Sequence, residues 1–342
     1  MAFKRLDPED FVVSSDTITG TVWSSGTPKL STFFTSSNQE LSAAGKYYLN
    51  IYDTAATSST QFSVVYCDAL GSGSEYFNNI VPGNSPSKTM YGQYRSMILE
   101  DETATFTFGN GTNTITSDHF WALSVERACY KEAFFPGSLN LTLKGIGGGL
   151  SSIQLTDDSQ EILINSYLGA TRAYQLISGS NGTSWNGNGG YVAGSGSYGL
   201  VFPDLGTILL NPYAISQSLH IAPSRASDTD GLNNRKIFTA ISGGAALPDS
   251  TGFTLNSEET ITSDYIFVRA RNSEFNYSEN SSFISGSTGE VIYPNFINHP
   301  QVYVTTVGLY NDSNELLAVA KLSKPLLKDF TKEILLRTKI DF

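Results

Sequence analysis

The last nine residues, Ile334-Leu-Leu-Arg-Thr-Lys-Ile-Asp-Phe342, alternate with a period of two. Successive side chains of an extended chain point to opposite sides. Ile334, Leu336, Thr338, Ile340 and Phe342 therefore share one face, and Leu335, Arg337, Lys339 and Asp341 the other. The same habit runs back through the chain. Residues 46–53 (KYYLNIYD), 61–67 (QFSVVYC), 103–108 (TATFTF) and 138–143 (SLNLTL) alternate or are rich in β-branched and aromatic types. Each is bounded by turn-forming Gly, Asn, Ser or Asp. Residues 205–210, 265–268, 302–307 and 316–320 repeat the pattern. Few windows carry a helical period, and even SDHFWALSVERACY (residues 117–130) reads better as a strand. This patterning predicts an all-β chain of antiparallel β-sandwich domains, two in number, with long polar loops and little helix.

Gly-rich backbone is a poor strand interior and a good hinge. Residues 145–149 (GIGGG) therefore mark the expected domain boundary. The division that follows is an N-terminal arm at 1–20, one sandwich at 21–145 and a second at 146–342 with a basic C-terminal strand. The arm opens with Lys4, Arg5, Asp7, Glu9 and Asp10, too charged for a core element. Residues 181–199 and 224–234 read as long exposed loops. The pentapeptide TITSD occurs at 114–118 and again at 260–264; this is weak support for two related domains, since such a sequence is also ordinary turn-and-strand chemistry.

Composition excludes several function classes. The 342 residues carry a formal charge of −11, which argues against a nucleic-acid partner that needs phosphate-neutralising cations. Nothing approaches 18 consecutive apolar residues, so no transmembrane helix is expected. The first residues lack the apolar segment of a secretory signal. Two cysteines, Cys67 and Cys129, cannot make a disulfide framework.

Catalytic signatures are also missing. Gly194-Ser-Gly-Ser-Tyr-Gly199 fits G-x-G-x-x-G, but Leu-Val-Phe-Pro203 follows where a phosphate-binding helix would have to begin. His119, His220 and His299 are scattered and read as structural. The adjacent acids Asp157-Asp158 and Glu258-Glu259 read as solvated turns, because a glycosidase pair must face across a cleft. The Asx-rich stretches at Asp228–Gly231 and Asn311–Glu315 lack the ligand pattern of an EF-hand. The sequence thus offers no catalytic residue, no metal ligands and no cofactor site.

What remains is contact chemistry. Trp185, Tyr191 and Tyr198 sit among Gly and Asn, a setting that suits sugar stacking or a protein contact, with packing of the loop on its own domain as the other reading. Residues 321–342 carry +3 while the rest of the chain carries −14. Lys324, Lys328, Arg337, Lys339 and the terminal Phe342 are therefore candidate contacts for an acidic neighbouring surface, as are Lys4 and Arg5 in the arm.

Residues 302–325 (VYVTTVGLYNDSNELLAVAKLSKP) resemble a phrase of phage tail, baseplate and fibre proteins: a strand, I-G-L-[FY]-[DN], a turn, E-L-[IL]-A-V, a strand and K-P. Four further segments, RACYKE (127–132), PGSLNLTL (136–143), YGLVFPDLG (198–206) and FVRARNSEFNY (267–277), are similar to virion structural proteins of marine T-even-like myoviruses, especially cyanophages. The resemblance implies a non-enzymatic virion component of tail or baseplate type. It would be assembled in the host cytoplasm and would contact other virion proteins and copies of itself. A receptor- or host-glycan-binding fibre module and a capsid decoration protein are the alternatives it leaves open. The family supplies no catalytic residues to carry over.

Overall fold

The computed structural model describes residues 7–21, 29–30, 47–52, 59–74, 80, 85–146, 151–162, 167–169, 171–185, 189–225, 232–248 and 252–341. Lys4, Arg5, Phe342 and the acidic stretch at Asp228 lie outside the described residues. The strands of four or more residues begin with β1 (Phe11–Thr21), β2 (Leu49–Tyr52), β3 (Thr60–Asp68), β4 (Phe106–Asn110), β5 (Asn113–Ser117) and β6 (His119–Val125). Next come β7 (Asn140–Lys144), β8 (Ser152–Asp157), β9 (Tyr174–Ser180), β10 (Gly199–Phe202) and β11 (Thr207–Leu210). The last are β12 (Ser257–Ala270), β13 (Val302–Tyr310), β14 (Leu316–Lys328) and β15 (Ile334–Asp341). The helices are α1 (Pro86–Leu99), α2 (Pro212–Leu219), α3 (Leu232–Ala245) and the single turn α4 (Asn295–Asn298). The chain is all-β in class and its strand pairs are antiparallel, as the period of two predicts.

The chain divides into two compact units, Thr19–Glu259 and the combination of Met1–Ile18 with Thr260–Phe342. The larger unit is thus an insertion in the sequence of the smaller one. The boundary expected at residues 145–149 is corrected: the strands on either side of the glycines, β7 and β8, are neighbours in one sheet, with Lys144 opposite Ser152 and Leu141 opposite Leu155. Residues 7–20 are not a free arm either. Pro8–Asp10 form a 3-10 turn, and β1 hydrogen-bonds to β12. The TITSD echo is not a structural repeat, since the first copy ends at the Asp118 bend between β5 and β6 and the second runs inside β12.

One antiparallel sheet organises the larger unit, in the order Lys29–Leu30, Phe253–Thr254, β7, β8, β9, β10, β11, β6, β3, β2. The sheet curls. Phe62 on β3 and Phe253, near opposite ends of this order, meet edge to face with ring centroids 5.2 Å apart. Helix α3 packs on both β7 and β3 and so bridges the curl. Close approach there requires glycine: a Cβ on Gly244 would lie 2.0 Å from the Thr142 carbonyl oxygen.

Two cores explain why the central strands read as nearly continuous apolar runs. Phe62, Val64, Trp121, Leu123, Ile208 and Leu210 face one core with α2 and α3. Val65, Cys67, Phe120, Ala122, Leu200 and Leu209 face the other, with Tyr91, Tyr94 and Ile98 of α1 and Phe106 and Phe108 of β4. Both helix starts carried legible signals. Pro86 stands in the first turn of α1, with Tyr91, Tyr94 and Ile98 at helical spacing behind it. Asn211 caps α2, its side chain accepting the Tyr213 N–H at 3.1 Å ahead of Pro212.

Candidate assembly surface

The smaller unit has almost no core. Among its described apolar side chains only Ala270, Phe283 and Ile334 are buried. Leu317 and Leu335 are 68% and 69% exposed, and Phe11, Val12, Val13, Tyr303, Leu316, Val319 and Phe330 are exposed with them. Single exposed apolar residues are ordinary; a body that buries so few of its described large apolar side chains presents an extended apolar surface.

Its main sheet runs β1, β12, β15, and eight consecutive pairs join the last two from Ser263–Asp341 to Ala270–Ile334. Opposed residues share a face in this pairing. Ile334, Leu336 and Ile340 therefore lie on one side with Ile266, Val268 and Ala270, and Leu336, Ile340, Ile266 and Val268 remain half-exposed. The other side holds Leu335, Arg337 and Lys339 with Arg269, Phe267 and Tyr265. There the Arg337 guanidinium lies 5.8 Å from the Tyr265 ring centre, and Lys339 pairs with Asp341 at 2.8 Å. The strand β15 thus completes its own unit's sheet along one edge. Its other edge pairs with no described strand, so it remains a template for a further strand.

The hairpin of β13 and β14 forms a separate two-stranded sheet. Asn311 shapes its turn: the side-chain oxygen accepts the Glu315 N–H at 2.8 Å, and the side-chain nitrogen donates to the Glu315 carboxylate at 2.7 Å. Tyr303, Tyr310, Leu317 and Val319 are exposed along it. A two-stranded hairpin with apolar side chains in water is marginal by itself. Residues between β12 and β13 build an aromatic patch in which Phe283 stacks on Phe296 at 5.2 Å and meets Tyr277 edge-on at 5.5 Å. An open groove of about 530 Å³ runs beside it, lined by Phe275, Tyr277, Phe296, Ile297 and Phe330.

The sequence-predicted contact residues fall into different settings. Lys324, Arg337 and Lys339 are exposed in the smaller unit. Lys328 is not a contact cation: it is fully buried, and its ammonium donates to the Asn272 and Asp329 carbonyls at 3.0 Å and to Asn276 Oδ1 at 2.8 Å. In the larger unit Trp185 is 61% exposed, while Tyr191 is half-buried. Tyr198 is corrected from loop surface to core, with its hydroxyl 2.9 Å from Ser218 Oγ. Of the three aromatic candidates, Trp185 alone is exposed. Gly199 of the G-x-G-x-x-G stretch opens strand β10, with no helix after it.

The acid pairs are also corrected, since Asp157, Asp158 and Glu258 are buried instead of solvated. Glu258 pairs with Arg172 at 3.1 Å. Asp157 accepts the Gly137 N–H at 2.9 Å, and Asp158 accepts the Gln175 N–H at 2.9 Å. Burial raises the pKa of both carboxyls, that of Asp158 to about 6, where the adjacent Asp157 adds to the rise. The folded state holds the Asp158 proton up to about pH 6 and the unfolded chain only to about pH 4, so folding gains stability as pH falls through that window. Asp158→Asn keeps an acceptor for Gln175 and removes the buried charge. Urea unfolding should find it more stable than the parent by roughly 1–3 kcal/mol at pH 7.5, with the difference fading toward pH 4.

A polar hub in the larger unit was invisible in the sequence. Asp68, fully buried, receives Arg225 Nε at 2.9 Å, Ser72 Oγ at 2.8 Å and the Leu70 N–H at 2.8 Å. Arg225 also donates to Asp118 at 2.9 Å, and Asp118 lies 2.7 Å from His119 Nδ1. Burial pulls the His119 pKa below its ordinary value. Burial alone would raise that of Asp118, but its bonds to His119 and Arg225 hold it low. Ser117 Oγ lies on the same ring nitrogen, at 3.5 Å, and donates to the His119 carbonyl at 2.6 Å. A nucleophile–base–acid relay needs its serine and carboxylate on opposite imidazole nitrogens. These groups lock β3, β5, β6 and the approach to α3 together. No family model, no curated protein and no solved structure matches this chain.

Proposed function

We propose that this chain is a non-enzymatic structural protein of a bacteriophage particle, a tail or baseplate component that assembles with copies of itself and with other virion proteins. The observation that carries the reading is the smaller unit, which buries three described apolar side chains and leaves open sheet edges beside exposed Leu317, Leu335 and Tyr303. Permanent interfaces resemble a domain core cut in half, and such a body reaches an ordinary burial only when a neighbour covers it. The phage-like phrase at 302–325 covers β13, its turn and most of β14, so the resemblance and the exposed apolar surface coincide. The hub around Asp68 and Arg225 supports a structural rather than catalytic reading, because its groups are engaged with one another.

The test is the position of the chain in a particle. An epitope inserted at the exposed 312–314 turn, imaged by electron microscopy of purified virions, should appear at a fixed, symmetric place on the tail or baseplate. Particles that lack the chain altogether would overturn the reading. Label on the capsid shell would replace it with the decoration role. Trp185 leaves a receptor-binding role measurable: purified chain that binds host cells, and loses that binding in Trp185→Ala, would place it at the host surface instead.

A further inference from the structure

Lys328, the last residue of β14, is fully buried against a side-chain amide. Its Nζ lies 2.8 Å from Asn276 Oδ1, and Asn276, in the stretch that follows β12, is buried as well. The amide is held in that orientation, because its nitrogen donates to the Asn272 carbonyl at 2.7 Å. The Asn272 and Asp329 carbonyls, each at 3.0 Å, also hold the lysine. Glu274, buried too, stands between Asn272 and Asn276 in the sequence, and its charge acts on Lys328. An amine, a carboxamide and a buried carboxyl are thus gathered in one place. Their surroundings are aromatic: Asn276 lines the open groove with Phe275, Tyr277 and Phe330.

We propose that Lys328 and Asn276 join in an intramolecular isopeptide bond, which the folded chain forms by itself with loss of ammonia. The Lys328 ammonium first gives one proton to the Glu274 carboxylate. The amine then attacks the Asn276 side-chain carbonyl carbon with its lone pair, and a C–N bond forms. A second lysine proton passes to the Asn276 side-chain nitrogen, the bond from that nitrogen to the carbon breaks, and ammonia leaves by the open groove. A secondary amide remains, and Glu274 gives its proton to the ammonia or to solvent. No electrons change hands, so no oxidant, reductant or cofactor enters. The setting favours the step. Burial pulls the Lys328 pKa below its ordinary value against the opposing charges of Asp329, Glu274 and Glu333, and the neutral amine is the nucleophile. Partners already held within hydrogen-bond distance need no further ordering to react. The bond also compensates for the sparse core of the smaller unit. It spans 52 residues and ties the stretch after β12 to the end of the β13–β14 hairpin. A covalent tie stabilises chiefly by restraining the unfolded chain, and more so for a long loop. The bond needs no partner and no particle, so it is independent of the virion role.

Mass spectrometry of the denatured full-length chain tests this directly. The parent should run one ammonia, about 17 Da, below its unlinked mass. Trypsin should leave Lys328 uncut and yield a branched peptide that joins residues 272–321 to 322–332. Lys328→Met and Asn276→Ala should each keep the full unlinked mass. Asn276→Asp should restore the link with loss of water instead, about 18 Da. Glu274→Gln, folded as judged by a circular dichroism spectrum matching the parent's, should stay unlinked. A folded parent at its unlinked mass, cut by trypsin after Lys328, would overturn the proposal and leave the lysine as a buried cation held by three oxygen acceptors. A linked Glu274→Gln chain would overturn the part given to Glu274.

Discussion

Arg225→Ala should lower the stability of the larger unit by roughly 3 kcal/mol, seen as a fall of about 6–12 °C in its melting temperature. Asp68 is fully buried, and Arg225 is the cation that answers it, at 2.9 Å. Removing the guanidinium leaves that carboxylate with neutral donors only, from Ser72, the Leu70 N–H and the Tyr66 hydroxyl. It also takes one donor from Asp118, which keeps His119. Arg225 is itself 35% exposed at the side chain, which discounts the ion pair and sets the figure at the lower end for a buried pair. A double-mutant cycle isolates the cause. Arg225→Ala with Asp68→Asn should cost less than the sum of the two single changes, because the penalty is a stranded charge and not a lost contact. Calorimetry that finds Arg225→Ala within 0.5 °C of the parent would show the hub to be dispensable.

On the proposed virion role, deleting residues 335–342 should abolish incorporation into particles while leaving the main thermal transition of the larger unit within about 2 °C of the parent. The deletion removes nearly all of β15, whose eight cross-strand pairs complete the sheet with β12. It bares Ile266 and Val268, already half-exposed, and leaves β12 as a raw edge. The larger unit keeps both of its cores, since their residues all lie between Leu49 and Leu255. Quantitative mass spectrometry of purified virions against the infected-cell lysate reads the first effect, and calorimetry of the purified chain reads the second. Truncated chain present in virions at parental copy number would remove β15 from the assembly surface.

These two expectations come from different levels of description. The alternation at 334–342 was visible as written, and Ile334 to Asp341 form a strand whose buried and exposed positions alternate as the letters do. The hairpin within 302–325 was equally legible, because Asn311 and the residues around it are local turn chemistry, although its return strand runs on to Lys328. The division at 145–149 was misread for a physical reason. Glycines permit a hinge and a loop between paired strands equally, and only the partner of β7 tells which. The helices were passed over because α1 and α3 include Gly92, Gly243, Gly244 and many polar residues, and tertiary packing of a few apolar positions overrode weak propensity. Lys328 was read as surface charge because lysine is seldom buried, yet three oxygen acceptors hold its ammonium.

By itself, the sequence determined the class of structure, since a side-chain period of two is a property of each strand and needs no partner to be read. It determined the local turns and the basic C-terminal segment for the same reason. The tertiary structure alone decided the curl that brings Phe62 to Phe253, the burial of Asp68 beneath an arginine 157 residues away, and the near absence of a core in the smaller unit. Each of those depends on which distant surfaces meet, and burial is a property of that meeting and not of any single stretch of chain.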